Sequence, residues 1–257
     1  MTSLTILGSG TAVSQSRSSG YLLTRKGRHY LVDCGEGIRH RLNDAGVDYF
    51  GIEAVFISHF HPDHFNLETL IQSIMVRNFM EKTEKSLTVF GPPETGRRLK
   101  SIWDAKHNTG NFENTLPKFV KLDIREYEDG KLVDYDGMKF TARTLKHGNM
   151  PAYTLRFEVD GKIFAYSGDS GINPNLDASC RSSDLFLCEC NQRPGTENEG
   201  HLNARQVGEI TSRNKVRKVV LTHMPGLDTP VTLINEVSGG GYKGQIKIAQ
   251  DLDIFQL

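Results

Sequence analysis

The sequence predicts a layered α/β fold in which two sheets are flanked by helices. Short apolar runs of strand length recur through both halves of the 257-residue chain. Segments with apolar residues at helical spacing lie between these runs, and turn residues separate the two kinds of element. No linker, internal repeat or low-complexity tract interrupts the pattern. Residues 1–257 are therefore predicted to form one domain, a length that single α/β domains often reach.

The first half of the chain begins with strands and adds helices between them. Strands are predicted at Leu4–Leu7, Tyr21–Thr24, His29–Val32, Ala54–Ile57 and Leu87–Phe90. Lys26-Gly27 predicts a hairpin turn between the second and third of these strands. Apolar spacing predicts helices at Ile38–Ala45 (closed by Gly46), Leu67–Met80 and Glu94–Trp103. The segment 105–117 is predicted to be a polar loop.

The second half repeats this alternation. Strands are predicted at Phe119–Leu122, Lys139–Leu145, Tyr153–Val159, Ile163–Tyr166, Asp184–Glu189 and Val216–Leu221, with a last strand near Ile246. Asp160-Gly161 is a strong signal for a two-residue turn. Asn203 is predicted to cap a helix that runs to Arg213, because its side chain can accept from the first backbone N–H groups.

Composition excludes several functional classes. Lys+Arg and Asp+Glu both number 31, so the chain lacks the basic excess typical of nucleic-acid-binding domains. Basic clusters at 97–100 and 213–218 are interpreted as solvated surface. The four cysteines form no C-x-x-C pair, the N-terminus lacks a signal-peptide pattern, and no apolar run approaches the ~18 residues of a spanning helix. These features predict a soluble cytoplasmic protein with free thiols and no membrane association.

The strongest functional signal is the run His-Phe-His-Pro-Asp-His at residues 59–64, which holds four metal-binding side chains. It follows an apolar predicted strand. Because alternate residues of an extended segment point the same way, His59 and His61 can face one point. The proline then ends the extended segment, so that Asp63 and His64 can face a second point nearby. Imidazole and carboxylate ligands suit zinc, with manganese or iron as alternatives.

Two metal sites need more than four ligands, and three further candidates each follow a predicted strand: His147, Asp169 and His223. Taken singly, each of these could be an ordinary polar loop residue. Because each of the three follows a predicted strand, all three can lie at the same edge of the fold as residues 59–64. The remaining histidines outside any motif are interpreted as ordinary surface or core residues: His29, His40 and His107.

The pattern H-x-H-x-D-H, a later lone His, an S-G-D and a final T-H resembles the metallo-β-lactamase superfamily. The segments L-G-S-G-T at 7–11 and V-D-C-G-E-G at 32–37 resemble its ribonuclease Z-like branch more narrowly. The resemblance covers residues 4–223. It implies a four-layer αββα sandwich with the active site at one edge, between the two sheets.

The resemblance also implies a pair of divalent metal ions. One ion would be held by His59, His61 and His147, the other by Asp63, His64 and His223, with Asp169 bridging them. Such ions usually lie ~3.5–4 Å apart and share a water whose pKa falls toward ~7, so the bridging hydroxide would be the nucleophile. The role of Asp33 is left open between support behind the metal ligands and a simple strand end.

Two further residues match motifs of the ribonuclease Z-like branch. Glu189 resembles the Glu of its H-E-A-T motif, although Cys188 stands where that motif begins with His. His201 resembles the His of its H-S-T motif, although Leu202-Asn203 replaces Ser-Thr. The resemblance implies that His201 protonates the leaving oxygen and that Glu189 orients it. The alternatives are a His201 that merely flanks a helix, and a proton supplied by Asp63 or water.

The substrate prediction depends on a short interval. Members of the branch that process tRNA carry an arm between the lone His and the bridging Asp, but positions 147 and 169 differ by only 22. A predicted hairpin already occupies residues 153–166. We therefore predict a phosphodiesterase for a small-molecule or short-nucleotide phosphodiester and not for tRNA. A carboxylic ester, lactone or thioester hydrolase is the alternative. A non-enzymatic binding module is disfavoured because every ligand position is filled, and a homodimer is left open.

Overall fold

The computed structural model describes residues 2–107, 112, 116–193 and 199–257, and two seven-stranded sheets pack face to face in it. The strands of the first sheet, in spatial order, are β14 (Ile254–Gln256), β1 (Thr2–Gly8), β2 (Gly20–Arg25), β3 (Arg28–Cys34), β4 (Ile52–Phe56), β5 (Ser86–Gly91) and β6 (Lys121–Glu126). Those of the second sheet are β13 (Gln245–Ile248), β12 (Lys218–Thr222), β11 (Leu185–Glu189), β10 (Lys162–Tyr166), β9 (Met150–Val159), β8 (Met138–His147) and β7 (Leu132–Tyr135).

Helices cover the outer face of each sheet. The α-helices are α1 (Ile38–Asp44), α2 (Leu67–Glu81), α3 (Thr95–His107), α4 (Pro174–Cys180), α5 (Ala204–Arg213) and α6 (Pro230–Gly239). Apolar side chains of α1, α2 and α3 pack against the first sheet, and those of α4, α5 and α6 pack against the second. Short 3-10 turns lie at Tyr49–Gly51 and Leu116–Lys118. The predicted four-layer αββα fold is confirmed.

Alternation along the central strands builds these layers. In β3, Tyr30 and Val32 belong to the core between the sheets, whereas Leu31 belongs to the core beneath α1 and α2. In β11, Leu187 faces the other sheet and Phe186 faces the outer helices. Both faces of these strands are buried, which explains why they appear in the sequence as short continuous apolar runs.

Most of the strands that lead to the predicted metal ligands are parallel. β3, β4, β5 and β6 pair in parallel, as do β10, β11, β12 and β13. The carboxyl ends of parallel strands meet at one edge of a sheet, where open α/β sheets commonly bind ligands. Loops that leave β4, β10 and β12 therefore converge on one region.

The local turn and cap predictions are confirmed. Lys26 and Gly27 both have positive φ, at 50° and 76°, and Asp160 and Gly161 have φ of 49° and 77°. Positive φ at both central residues is the requirement of the tight hairpin turn that matches strand twist. Asn203 caps α5 by accepting from the Gln206 backbone, and the Gln206 side chain accepts from Asn203 in return.

Other predictions needed correction. Four elements were not predicted: β7, α4, α6 and β14. The strand predicted at Phe119–Leu122 begins later, at Lys121, and β9 begins earlier, at Met150. The loop predicted at 105–117 is wrong at its start, because α3 continues to His107. Most of that loop, residues 108–111 and 113–115, lies outside the described residues.

The four cysteines are buried free thiols, as predicted. Within the described ranges, no helix combines the length and the apolar character that crossing a membrane would require.

Candidate metal centre

The structure brings the seven predicted ligand residues together at one edge of the two sheets. His59, His61, Asp63 and His64 follow β4, His147 ends β8, Asp169 follows β10, and His223 follows β12. Ligand atoms of His59, His61, His147 and Asp169 lie within 4.8 Å of one another, and so do those of Asp63, His64 and His223. These are the two groups that the family resemblance implies.

The carboxylate of Asp169 lies at the centre of this cluster. Its oxygens are 3.6 Å from Nε2 of His59, 3.4 Å from Nε2 of His64, 3.8 Å from Nε2 of His147 and 3.2 Å from Nε2 of His223. One Asp169 oxygen and the His64 Nε2 atom are buried, and no described residue forms a hydrogen bond with either. Buried polar atoms normally have a partner, so an additional group belongs here. A set of imidazole nitrogens around carboxylates fits divalent cations.

The protonation states of Asp169 and His59 suit cation binding. Burial alone would raise the pKa of Asp169, but His223, His64 and His59 hold it well below its usual range. Burial and the neighbouring His64 lower the pKa of His59 far below that of an exposed imidazole. An ionised carboxylate and a neutral imidazole are the forms that coordinate metals. For His64, burial lowers the pKa, but Asp169 and Asp33 outweigh it and raise the pKa to about 9, so a cation bound there would displace a proton.

Asp33 supports the cluster from behind. Its buried carboxylate accepts hydrogen bonds from Ser58 N at 2.7 Å, Ser58 Oγ at 2.7 Å, His64 Nδ1 at 2.8 Å and the Tyr166 hydroxyl at 2.8 Å. A φ of 56° turns the backbone of Asp33 into the left-handed region near the end of β3. Since Nδ1 of His64 is engaged, Nε2 is the atom that faces Asp169. Of the two roles left open for Asp33, the geometry favours support of the ligands.

Other candidate ligands are oriented by groups that carry no motif. Ser19 Oγ lies 3.0 Å from Nδ1 of His223, and Nδ1 of His147 donates to the carbonyl of Gly200 at 2.9 Å. The Ala12 backbone N–H donates to Asp63 at 3.0 Å. Such contacts fix the ring orientation of metal-binding histidines. A serine in a polar loop gives no sign of this role in the sequence.

Glu189 and His201 form a pair beside the cluster. Glu189 ends β11 and is fully buried, and Nδ1 of His201 lies 3.0 and 3.1 Å from its two carboxylate oxygens. The Ser170 N–H donates to the same carboxylate at 2.7 Å. Cys188 instead faces the core beneath the outer helices, so the position at which the family motif begins with His points away from the site.

Glu189 and His201 each change the pKa of the other. Burial raises the pKa of Glu189, and its contact with His201 opposes that rise. Burial alone would lower the pKa of His201, but the hydrogen bond and the charge of Glu189 outweigh it and raise the pKa. The charged form of His201 is therefore more favoured than that of a free imidazole.

His201 lies next to the candidate metal ligands. Its ring centroid is 4.9 Å from that of His147 and 6.0 Å from that of His223. Ligand atoms of Asp169, His201 and His223 also lie within 4.8 Å of one another. The geometry thus allows His201 to act as a proton donor or as a ligand.

The cluster opens into a cleft of about 660 Å³, whose wall includes His61, His147, His201, Arg98, Lys146 and Glu199. The three histidines interpreted as ordinary residues do not join it. His29 pairs with Thr24, His40 contacts Arg39, and His107 stacks on Trp103.

Comparisons with known proteins agree with this geometry. A family model described as Anti-Pycsar protein Apyc1 matches residues 2–232. A ribonuclease Z of Mycobacterium marinum is 26% identical over 244 residues, which cover 87% of this chain and 86% of the relative. The metallo-β-lactamase fold protein YhfI from Bacillus subtilis superposes with a TM-score of 0.85 at 20% identity, covering 99% of this chain and 98% of YhfI. Human tRNase Z, short form (ELAC1), superposes with a TM-score of 0.76 at 19% identity, covering 99% of this chain and 98% of the human chain.

The similar structures confirm the metallo-β-lactamase fold, and the relatives confirm the ribonuclease Z-like resemblance. With the histidine and aspartate cluster, they support a metal-dependent hydrolase. The family match spans residues 2–232 of the 257. The chain therefore belongs to the Anti-Pycsar protein Apyc1 family.

Proposed function

We propose that the protein is a dinuclear metal-dependent phosphodiesterase that hydrolyses a small-molecule or short-nucleotide phosphodiester. The observation that carries the proposal is the convergence of four imidazole Nε2 atoms on the buried carboxylate of Asp169. The proposal assigns the activity to residues 1–257 as one domain, which is supported by the core that the two sheets share.

The proposed ligand sets are His59, His61 and His147 for one cation and Asp63, His64 and His223 for the other, with Asp169 between them. Two divalent cations bound there, zinc in the first instance, would supply Lewis acidity toward the phosphoryl group and a nucleophilic water at neutral pH. Asp33, Ser19 and the Gly200 carbonyl would hold the coordinating rings in place.

In this proposal His201 is the general acid and Glu189 is its positioning residue. Glu189 engages Nδ1 of His201, so Nε2, which lies 3.4 Å from the Asn191 side-chain amide, is the ring nitrogen proposed to deliver a proton to the leaving oxygen. The Ser170 N–H donates to the Glu189 carboxylate and so helps to hold it against the His201 ring. An Asp63 proton is the alternative source.

The substrate class is supported by the relatives and by the chain interval between His147 and Asp169. The M. marinum relative is named a ribonuclease, so its name indicates a phosphodiester substrate. In this chain, β9 and β10 occupy residues 150–159 and 162–166 of the interval in which tRNA-processing members carry their arm. A substrate that needs no such arm is therefore proposed.

The function is tested by assaying metal-loaded protein on bis(p-nitrophenyl) phosphate beside a panel of lactones and thioesters. We expect turnover of the phosphodiester. Turnover of a lactone or thioester with none of the phosphodiester would replace the proposal with an ester-type hydrolase on the same cluster.

We expect two divalent metal ions per chain. One group of ligand atoms includes Asp169 and the other, formed by Asp63, His64 and His223, is complete without it, so filling one group leaves a second beside it. Elemental analysis of protein purified without chelator, and again after zinc loading and desalting, measures the ratio. A single tightly bound ion under zinc-replete conditions would contradict the dinuclear site.

We expect poor removal of 3′ trailers from precursor tRNA. The short interval between His147 and Asp169, filled by β9 and β10, is the reason. Cleavage of a labelled precursor is compared with that by a tRNA 3′ endonuclease at equal concentration. Cleavage at a rate comparable to that of the tRNA 3′ endonuclease would overturn the prediction. Segment 105–117 would then be the candidate for a tRNA-binding arm.

A further inference from the structure

We propose that Arg98 determines substrate specificity by binding acceptor oxygens on the group attached to the reacting phosphate. This inference rests on the proposed phosphodiesterase function and adds a recognition residue to it. The wall of the cleft includes Arg98 and Lys146, and the two side chains differ in their contacts with neighbouring carboxylates.

Arg98 lies in the first turn of α3 and lines the same cleft as His61, His147 and His201. Its guanidinium carbon sits 4.5 Å above the centre of the Phe60 ring. The Phe60 ring is buried in the core beneath α2 and α3, so this contact fixes the guanidinium to the protein at the wall of the cleft. A cation stacked on an aromatic face is held in a defined plane.

The donors of Arg98 are only partly used. Its Nε is buried, and no described residue accepts a hydrogen bond from it. Its ion-pair partner is Glu94, at 3.6 Å from Nη2, and the same carboxylate pairs more closely with Arg97, at 2.7 Å. Lys146, the other cation of this wall, is already in contact with Glu199. Of the two Lys and Arg side chains that line this wall among the described residues, Arg98 is therefore the one less closely paired with a carboxylate.

The geometry of the group defines what it can bind. Guanidinium presents a rigid fork of N–H donors that matches two neighbouring oxygens. In the proposed function the reacting phosphate would lie against the two cations, so Arg98, on the wall of the cleft, would face acceptors elsewhere on the substrate. The matching acceptors are then a second phosphate or the carbonyl edge of a nucleobase on the same substrate. Both sources offer acceptor oxygens: a phosphate offers two to the fork, and a base carbonyl such as that of thymine offers one to a single N–H.

Three phosphodiesters with one leaving group separate these sources. Bis(p-nitrophenyl) phosphate lacks both acceptors, thymidine 5′-(p-nitrophenyl phosphate) adds a base, and its 3′-phosphorylated derivative adds a phosphate as well. The variants are Arg98→Gln, which keeps an aliphatic stem and loses the charge, and Arg98→Lys, which keeps the charge and loses the fork. Arg97→Gln is the matched control, since Arg97 is on the same helix, pairs with the same Glu94 and does not line the cleft.

We expect Arg98→Gln to raise KM for a nucleoside substrate about 10-fold to 100-fold, the loss expected for charged hydrogen bonds. The kcat for the nucleoside substrate, and both kcat and KM for bis(p-nitrophenyl) phosphate, should change little. The KM of Arg98→Lys for the nucleoside substrate should lie between those of the unaltered protein and Arg98→Gln. An increase confined to the 3′-phosphorylated substrate assigns the phosphate, and an increase for both nucleosides assigns the base. Calorimetric binding of thymidine 3′,5′-bisphosphate to the metal-loaded protein should weaken in parallel.

Two outcomes would overturn the inference and are distinguishable from failure of the proposed function. Equal changes for all three substrates would make Arg98 a structural residue that holds Phe60. If KM for all three substrates is unchanged in Arg98→Gln, Arg98 takes no part in substrate recognition. If the unaltered protein hydrolyses none of the three, the proposed phosphodiesterase function fails, and the Arg98 inference falls with it.

Discussion

Replacement of Asp169 by alanine is expected to reduce hydrolysis of bis(p-nitrophenyl) phosphate by more than about 100-fold, a loss larger than those typical of residues that only support ligands. The bound metal should fall below two equivalents per chain. The physical reason is that one carboxylate faces Nε2 of four histidines. Without the Asp169 carboxylate, the buried imidazole rings lose the negatively charged group that lies near both sets of proposed ligands.

Elemental analysis and steady-state kinetics on the same preparations measure this effect. Asp123→Ala is a suitable control, because Asp123 is a half-exposed residue of β6 that pairs with Arg125 away from the site. Thermal unfolding of metal-free samples checks that the Asp169 variant is folded. A folded Asp169→Ala protein with two metal equivalents and normal turnover would show that the carboxylate does not bridge the cations.

The metal cluster could be predicted because its signal is local. Residues 59–64 supply four candidate ligands in one run, and the strand before them fixes their direction. His147, Asp169 and His223 could be added because each stands at a strand end, and parallel strands bring such ends together. The family motifs then assigned the residues to two ions.

Apart from Asp33, for which support of the ligands was one of two interpretations, the groups that orient these candidate ligands could not be predicted. Ser19 and Gly200 act through contacts between segments far apart in the chain, at separations of 204 and 53 residues. Arg98 was interpreted as solvated surface, because nothing in its neighbourhood indicates that the helix would present it to the cleft. The shared motifs likewise could not separate the Apyc1 family from ribonuclease Z.

Three of the four missed elements can be related to features of their sequences. β7 is a four-residue edge strand whose side chains alternate between exposed and half-buried, so it gives almost no apolar signal. Both missed helices carried a start signal. Asn173 precedes Pro174 and Thr229 precedes Pro230, and each pair is a cap residue followed by proline at the first helical position. Closer use of that rule would have found α4 and α6.

Replacement of His201 by alanine is expected to lower turnover about 10²–10⁴-fold, the usual contribution of general acid catalysis, and to leave the metal content intact. The loss should be largest for a dinucleotide, whose alkoxide leaving group needs a proton. It should be smaller for bis(p-nitrophenyl) phosphate, because nitrophenolate departs readily as an anion. Kinetics on both substrates and elemental analysis measure the two quantities together.

Asp63→Ala is the comparison that separates the roles, since it should lose metal as well as rate. The comparison is needed because His201 lies within ligand distance of Asp169 and His223. Loss of a metal ion in His201→Ala would make His201 a ligand. An equal loss on both substrates with full metal content would make it a structural residue. In either case the proton would have to come from Asp63 or water. A larger loss on the dinucleotide at unchanged metal content is the pattern that only a proton donor produces, because it couples the loss to the leaving-group oxygen.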